Sequence, residues 1–135
     1  MAFEGCSSPT GARLMSALIV ERNNCVRYHH TILFKNRGFD TYVVTTGEEA
    51  IDLIYSGKKF DVIVMGMTLP MMNSVQATRK LRIMGVDKMI IGTEVKGYLT
   101  YDNNNCYEVG LDRIYELPLT REIVASLHNE LMGHN

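Results

Sequence analysis

The stretch FDVIVMGMTLPMMN, residues 60–73, decides how the chain is expected to fold. Residues 60–65 form a nearly unbroken apolar run, which is typical of a strand buried on both faces of a parallel sheet. The run ends at Gly66, and the loop after it contains Pro70, which cannot continue a central strand. Ser74 can then cap a helix. The stretch therefore predicts a buried strand, a loop and a helix in succession.

The same order of strand and helix recurs on both sides of this stretch. We expect strands at residues 17–20, 41–44, 60–65, 89–92 and 113–115, and helices at residues 24–37, 46–56, 74–82, 98–109 and 121–132. Alternation of this kind predicts an α/β fold in which helices cover both faces of a parallel sheet. We expect one domain over residues 17–135, preceded by a flexible leader at residues 1–16.

The composition limits the classes of function that are open to the chain. Its 135 residues carry a net charge of -1, which provides no field for attracting nucleic acid or anionic lipid. The apolar runs are far shorter than the ~20 residues that span a bilayer. Cys6, Cys25 and Cys106 lie at wide and unrelated spacings, which favours reduced thiols over disulfides or a zinc site. We expect a soluble protein of the cytoplasm, the nucleus or both, without a nucleic-acid or membrane partner.

The residues most informative about function follow the predicted strands. In a doubly wound parallel sheet, ligands bind outside the carboxyl ends of the strands, which here are residues 21–22, 66–68, 93–94 and 117–118. The sequence contains no glycine-rich phosphate loop, no pair of nucleophile and base, and no metal triad. We therefore do not expect an enzyme.

Five segments resemble, in order and spacing, the receiver domains of response regulators, particularly the plant branch of that family. They are ALIVER at 17–22, GFDTYVVTTGEEAIDLI at 38–54, FDVIVMGMTLPMMN at 60–73, ATRKLRIMG at 77–85 and GLDRIYELPLT at 110–120. The resemblance covers residues 17–132. It implies a flavodoxin-like (βα)5 fold with the strand order 2-1-3-4-5.

The resemblance also implies which positions would carry phosphorylation chemistry. Receivers place an acidic pair after the first strand, a phosphoaccepting Asp after the third, a hydroxyl after the fourth and a Lys before a Pro after the fifth. The carboxylates hold magnesium, and the cations and hydroxyl neutralise the phosphoryl group on the Asp. These positions align with Glu21, Arg22, Gly66, Glu94 and Leu117.

The aligned residues predict a degenerate site. Gly66 has no nucleophile, and Leu117 keeps the following proline but not the charge. Thr93 precedes Glu94, so a shift of one residue would restore a hydroxyl. We expect no magnesium or other cofactor, and an ion pair from Arg22 to Glu21 or Glu94 in place of the metal.

The resemblance implies that such a domain acts by binding signalling proteins, namely a histidine phosphotransfer protein or a histidine kinase. The candidate partner-binding residues lie beside the same edge of the sheet: Cys25, Tyr28, Met71, Met72 and Pro118. We expect His29 and His30 to be surface or partner-facing residues, because helical neighbours point about 100° apart and no third metal ligand is evident. A monomer or weak homodimer is expected.

Two alternatives remain open. One is a receiver-derived domain that binds a small ligand in the same pocket. The other is a receiver phosphorylated at a non-standard residue, for which Thr68 and Asp61 are candidates. Asp61 begins its predicted strand, and we expect it to face solvent away from the site.

Overall fold

The computed structural model describes residues 14–67, 73–95 and 108–133. In chain order its elements are β1 (Ser16–Val20), α1 (Asn24–Arg37), β2 (Asp40–Val44), α2 (Gly47–Tyr55), β3 (Val62–Gly66), α3 (Ser74–Ile83), β4 (Met89–Glu94), β5 (Arg113–Glu116) and α4 (Arg121–Leu131). The five strands form one sheet, in the order β2-β1-β3-β4-β5, and every neighbouring pair is parallel. The expected fold class and strand order are confirmed.

Most predicted boundaries agree with the structure within two residues, and the shifts have local causes. β1 begins at Ser16, one residue early, because Asp61 accepts a hydrogen bond from the Ser16 amide at 2.8 Å. β4 continues to Glu94, two residues beyond the predicted end. Nearly all of the predicted leader and of the predicted helix at 98–109 lies outside the described residues.

The helix ends follow the capping signals of the sequence, with one correction. Thr46 and Glu49 form the capping box expected at the start of α2. The cap of α3 is Asn73, whose side chain accepts from the Gln76 amide, whereas Ser74 is the first helical residue. The hydroxyl of Ser74 is thereby left to donate elsewhere.

Two apolar layers hold the helices against the sheet. On one face, α2 and α3 cover Leu18, Val20, Ile63, Met65 and Ile90. On the other, α1 and α4 cover Ala17, Ile19, Val62, Val64 and Ile91. Successive strand residues point to opposite faces of the sheet. The face of a residue at the end of a strand can therefore be read from the residues before it. Within the described ranges, no helix is both long and apolar enough to cross a membrane.

Candidate functional site at the carboxyl ends of the strands

The side chain of Glu21 fills the space beside Gly66. A Cβ atom added to Gly66 would overlap Glu21 Oε1 and would lie 3.1 Å from Glu21 Cδ and 3.2 Å from the carbonyl oxygen of Val20. Glu21 directly follows β1, and only 6% of its surface is exposed. The first atom of any side chain at position 66 would therefore compete with a buried carboxyl group.

The Glu21 carboxyl group is held from one side by the start of α1. Its Oε2 accepts a hydrogen bond of 3.0 Å from the amide of Asn23. Burial raises the pKa of Glu21, and the Asn23 amide and the charges of Arg22 and Arg27 oppose that rise. A carboxyl group that is buried and held in this way is poorly suited to bind a hydrated cation.

Arg27, rather than Arg22, organises the loop after β1. Its Nη1 donates to the carbonyl oxygens of Glu21 at 3.0 Å and Arg22 at 3.3 Å, and its Nη2 donates to Asn24 Oδ1. Arg22 is exposed and forms no ion pair with another described residue. The expected ion pair from Arg22 to Glu21 or Glu94 is therefore absent from the described part of the chain.

Sequence reasoning missed Arg27 because it lies one turn into α1, where an arginine is expected to be an ordinary surface residue. The signal was its spacing of five and six residues from two carbonyl groups in the preceding loop. At that spacing a long side chain can fold back over the start of its own helix.

The register of the sheet decides between Thr93 and Glu94. Gly66 pairs with Thr93 in the β3–β4 ladder, so both residues face the side covered by α1 and α4. Glu94 pairs with Glu116 and faces the opposite side. The hydroxyl position beside Gly66 is thus Thr93, and the assignment of Glu94 to it is corrected.

Both residues are buried, and each leaves an oxygen atom without a hydrogen-bond partner among the described residues. These atoms are Thr93 Oγ1 and Glu94 Oε1. Burial, with a smaller contribution from the charge of Glu116, raises the pKa of Glu94. Glu94 faces away from the side on which Glu21 fills the space beside Gly66. The two carboxyl groups therefore do not form a shared anionic cluster.

Leu117 and Pro118 lie at the same edge of the sheet, directly after β5. The Leu117 amide donates to the carbonyl oxygen of Glu94 at 2.8 Å, and the Leu117–Pro118 peptide bond is cis. The side chain of Leu117 supplies no charge to the site. The position at which the resemblance implies a lysine therefore holds an uncharged side chain.

The backbone at the end of β3 is tied to its neighbours. The hydroxyl of Ser74 donates to the carbonyl oxygen of Gly66, and the Met67 amide donates to the carbonyl oxygen of Thr93 at 2.9 Å. Met67 is buried over Gly92, where an added Cβ would lie 2.8 Å from its sulfur. Close packing on both sides fixes the path of the chain past Gly66.

These residues do not fit a magnesium ion. Magnesium requires a near-octahedral set of hard oxygen ligands, usually including one or two carboxylates. Here Glu21 is engaged by Asn23 and occupies the space beside Gly66, and Arg22 replaces the second acid. Across the described ranges, no group of three His, Cys, Asp or Glu side chains could hold a metal ion.

The candidate partner-binding residues on α1 are accessible. Cys25 is exposed, 69% of the surface of Tyr28 is exposed, and Ile32 continues the same stripe one turn later. Pro118 is also exposed. Met71 and Met72 lie outside the described residues.

Two expectations about polar residues are wrong. His30 lies on the buried side of α1, with 1% of its surface exposed and both ring nitrogens unpartnered among the described residues. Its neighbour His29 is exposed. Asp61 is buried rather than solvent-facing, and it accepts hydrogen bonds from the amide and hydroxyl of Ser16. It lies at the opposite end of β3 from Gly66, a separation on the order of 15 Å for five residues of strand.

Comparison with known proteins agrees with this architecture, although no protein-family model matches the chain. Two-component response regulator 24 of Arabidopsis thaliana is 34% identical over 117 residues, which are 87% of this chain and 84% of that protein. Two-component response regulator ARR22 of the same plant is 32% identical over 120 residues, covering 88% and 84% of the two chains.

Solved structures share the fold. The receiver domain of a sensor histidine kinase from Pseudomonas aeruginosa, crystallised with magnesium in its active-site cleft, matches with a TM-score of 0.75 at 22% identity, over 90% of this chain and 99% of that one. The sheet order is that of the flavodoxin-like fold, which this receiver domain shares. The chain belongs to the response regulator receiver family of two-component signalling.

Proposed function

We propose that this chain is a pseudo-receiver, which takes part in two-component signalling by binding a partner protein and does not accept a phosphoryl group. The observation that carries the proposal is the pair of Gly66 and Glu21. Position 66 has no nucleophile, and the carboxyl group of Glu21 fills the space that a nucleophilic side chain would enter. An acyl phosphate cannot form on a residue without a carboxyl group.

The lack of a fitting metal site supports the same proposal. The receiver from Pseudomonas aeruginosa holds magnesium in its cleft, whereas this chain presents Arg22 and an engaged Glu21 at the corresponding edge. Leu117 adds no cation to neutralise a phosphoryl group. Positions 66, 22 and 117 thus lack the nucleophile, the second carboxylate and the cation that phosphoryl transfer uses.

The proposed partner is a histidine phosphotransfer protein or a histidine kinase. Support comes from family membership and from the accessible stripe of Cys25, Tyr28 and Ile32 on α1, which adjoins the site. An exposed aromatic residue within an apolar stripe is the usual anchor of a protein interface. Binding through this face would not require any change at Gly66.

The phosphorylation test is treatment of the intact chain with acetyl phosphate and magnesium, followed by intact-mass measurement. A receiver with an acceptor Asp, treated in parallel, serves as the positive control. We expect no mass increase for this chain. A base-labile increase of one phosphoryl group would overturn the proposal, and peptide mapping would then locate the acceptor.

The binding test is titration of purified histidine phosphotransfer proteins and kinase domains by calorimetry. We expect one of them to bind with an affinity that acetyl phosphate and magnesium leave unchanged. Tyr28→Ala should weaken binding, whereas Tyr55→Ala, which removes an 85% exposed tyrosine from α2, should not. Equal effects of the two variants would argue against the α1 face.

A further inference from the structure

A groove with an apolar floor and a basic rim lies at the amino end of β3, at the far end of the sheet from Gly66. Its volume is about 450 Å³, within the range of small-molecule sites. The floor is formed by Ile54, Phe60, Ile63, Met84 and Val86. Neither the proposed binding face on α1 nor the site beside Gly66 shares residues with this groove.

The walls of the groove are two helix ends of the same construction. Gly57 ends α2 at φ 100°, where the amides of Gly57 and Lys58 donate to the carbonyls of Ile54 and Leu53. Such a Schellman motif uses the last carbonyl groups of the helix and fixes the turn. The first wall is therefore formed before any ligand arrives.

The second wall repeats the motif at the end of α3. Gly85 has φ 101°, and the amides of Gly85 and Val86 donate to the carbonyls of Arg82 and Leu81. Arg82 fixes the wall further, because its Nη1 donates to the carbonyl oxygens of Val86 at 2.9 Å and Lys88 at 2.7 Å.

The rim carries a net positive charge. Lys58 and Lys59 approach from the first wall, Lys88 from the second, and Asp87 is the acid among the lining residues. Each of these three lysines forms no ion pair with another described residue. The ammonium group of Lys58 lies 5.1 Å from the centre of the Tyr42 ring, which packs edge-on against Phe60 of the floor.

We infer that this groove binds a small organic acid that has an apolar ring or chain. The apolar body would replace water on the floor, while the acid group would stay at the rim between lysines of the two walls. Backbone amides already cap carbonyl groups at both helix ends, and the three rim lysines form no ion pair with another described residue, so their charges are available to the ligand. A basic rim disfavours a cationic ligand of the same shape.

Naphthoate is a suitable probe, and titration followed by amide NMR shifts tests the inference. We expect shifts confined to residues 54–63 and 84–88. Naphthalenemethanol, which keeps the rings and lacks the charge, should bind more weakly. The Lys58→Gln, Lys88→Gln double variant should raise the Kd of naphthoate about three- to tenfold, because exposed ion pairs contribute only modestly to affinity.

The matched control is Lys35→Gln with Lys80→Gln, which removes the same charge from exposed positions outside the groove. This control should leave the Kd unchanged. Met84→Trp, which fills the groove, should abolish binding, and its amide spectrum reports whether it folds. The inference is overturned if shifts are absent at millimolar naphthoate, if they lie elsewhere, or if the two double variants bind alike.

Discussion

The carboxyl group of Glu21 stands where a side chain at position 66 would begin, so the last residue of β3 and the residue that follows β1 share one volume. The two positions are adjacent across the ladder that joins Val20 to Met65. Glu21 is kept in that volume by the Asn23 amide. Substitutions at the two positions should therefore not act independently.

A double-mutant cycle measures this dependence. Gly66→Ala should lower the free energy of unfolding by about 1–3 kcal/mol, because the new methyl group displaces the Glu21 carboxyl group from its buried place. In a Glu21→Ala background the same substitution should cost clearly less. Urea unfolding of the four proteins gives the coupling energy. The control cycle uses Glu122→Ala in place of Glu21→Ala. Glu122 is an exposed glutamate on α4, and its substitution should show no coupling to Gly66→Ala.

Restoring the acceptor alone should not restore phosphorylation. In Gly66→Asp the new carboxyl group meets Glu21 and has neither a second acid for magnesium nor a cation from position 117. We expect no mass increase with acetyl phosphate. The combined variant Glu21→Asp, Arg22→Asp, Gly66→Asp, Leu117→Lys supplies all three groups and should take up one phosphoryl group. Modification of Gly66→Asp by itself would contradict this expectation.

Acid should destabilise the protein through His30. Burial lowers the pKa of His30 to about 4, from about 6.5 in an unfolded chain, so the folded state resists a proton that the unfolded state accepts. This contribution to stability is present at pH 7 and is lost as the pH falls from about 6.5 towards 4. The expected loss is about 2–3 kcal/mol.

The measurement compares wild type with His30→Leu by urea unfolding across that pH range. Glu21 and Glu94 have raised pKa values and act with the opposite sign, but they are common to both proteins and cancel in the difference. His29→Leu removes only the smaller, charge-based contribution to the lowered pKa of His30, and it should change the slope of stability against pH much less than His30→Leu does. A slope that is the same in wild type and His30→Leu would show that His30 takes no part.

We expect Arg82 to contribute more to the free energy of unfolding than is usual for a charged residue. Its guanidinium group donates to the carbonyl oxygens of Gly110, Val86 and Lys88 and pairs with Asp112 at 3.0 Å. Arg82→Ala leaves these carbonyls without their donor, and we expect a loss of about 2–4 kcal/mol. Arg79→Ala, at an exposed position on the same helix, should change stability by less than about 0.5 kcal/mol. Thermal unfolding distinguishes the two.

The order of elements could be predicted from the sequence because each buried strand is a short apolar run and each helix begins at a side-chain cap. The continuous run at residues 62–65 and the capping box of Thr46 and Glu49 carry local signals of this kind. The choice between Asn73 and Ser74 was missed because either residue can cap a helix. Only the carbonyl of Gly66, distant in sequence, decides where the serine hydroxyl points.

The sequence predicted which functional groups these positions lack, but it did not predict how the side chains present are arranged. That Gly66 lacks a nucleophile is visible in the sequence. Which residue fills the resulting space is decided by packing between β1 and β3. Strand register decides which of Thr93 and Glu94 shares the face of Gly66. His30 and Asp61 were misjudged because polar residue type says little about burial when neighbouring apolar side chains enclose the position.

We expect the buried place of Glu21 to make an acceptor at position 66 difficult to introduce by a single substitution. A return of Asp at position 66 would meet an occupied volume, while a shorter residue at position 21 would first open a cavity and release the Asn23 amide. Either order passes through a protein that is less stable and still inactive as a phosphoacceptor. Packing around Glu21 thus favours changes at positions 21 and 66 that occur together over changes at either position alone.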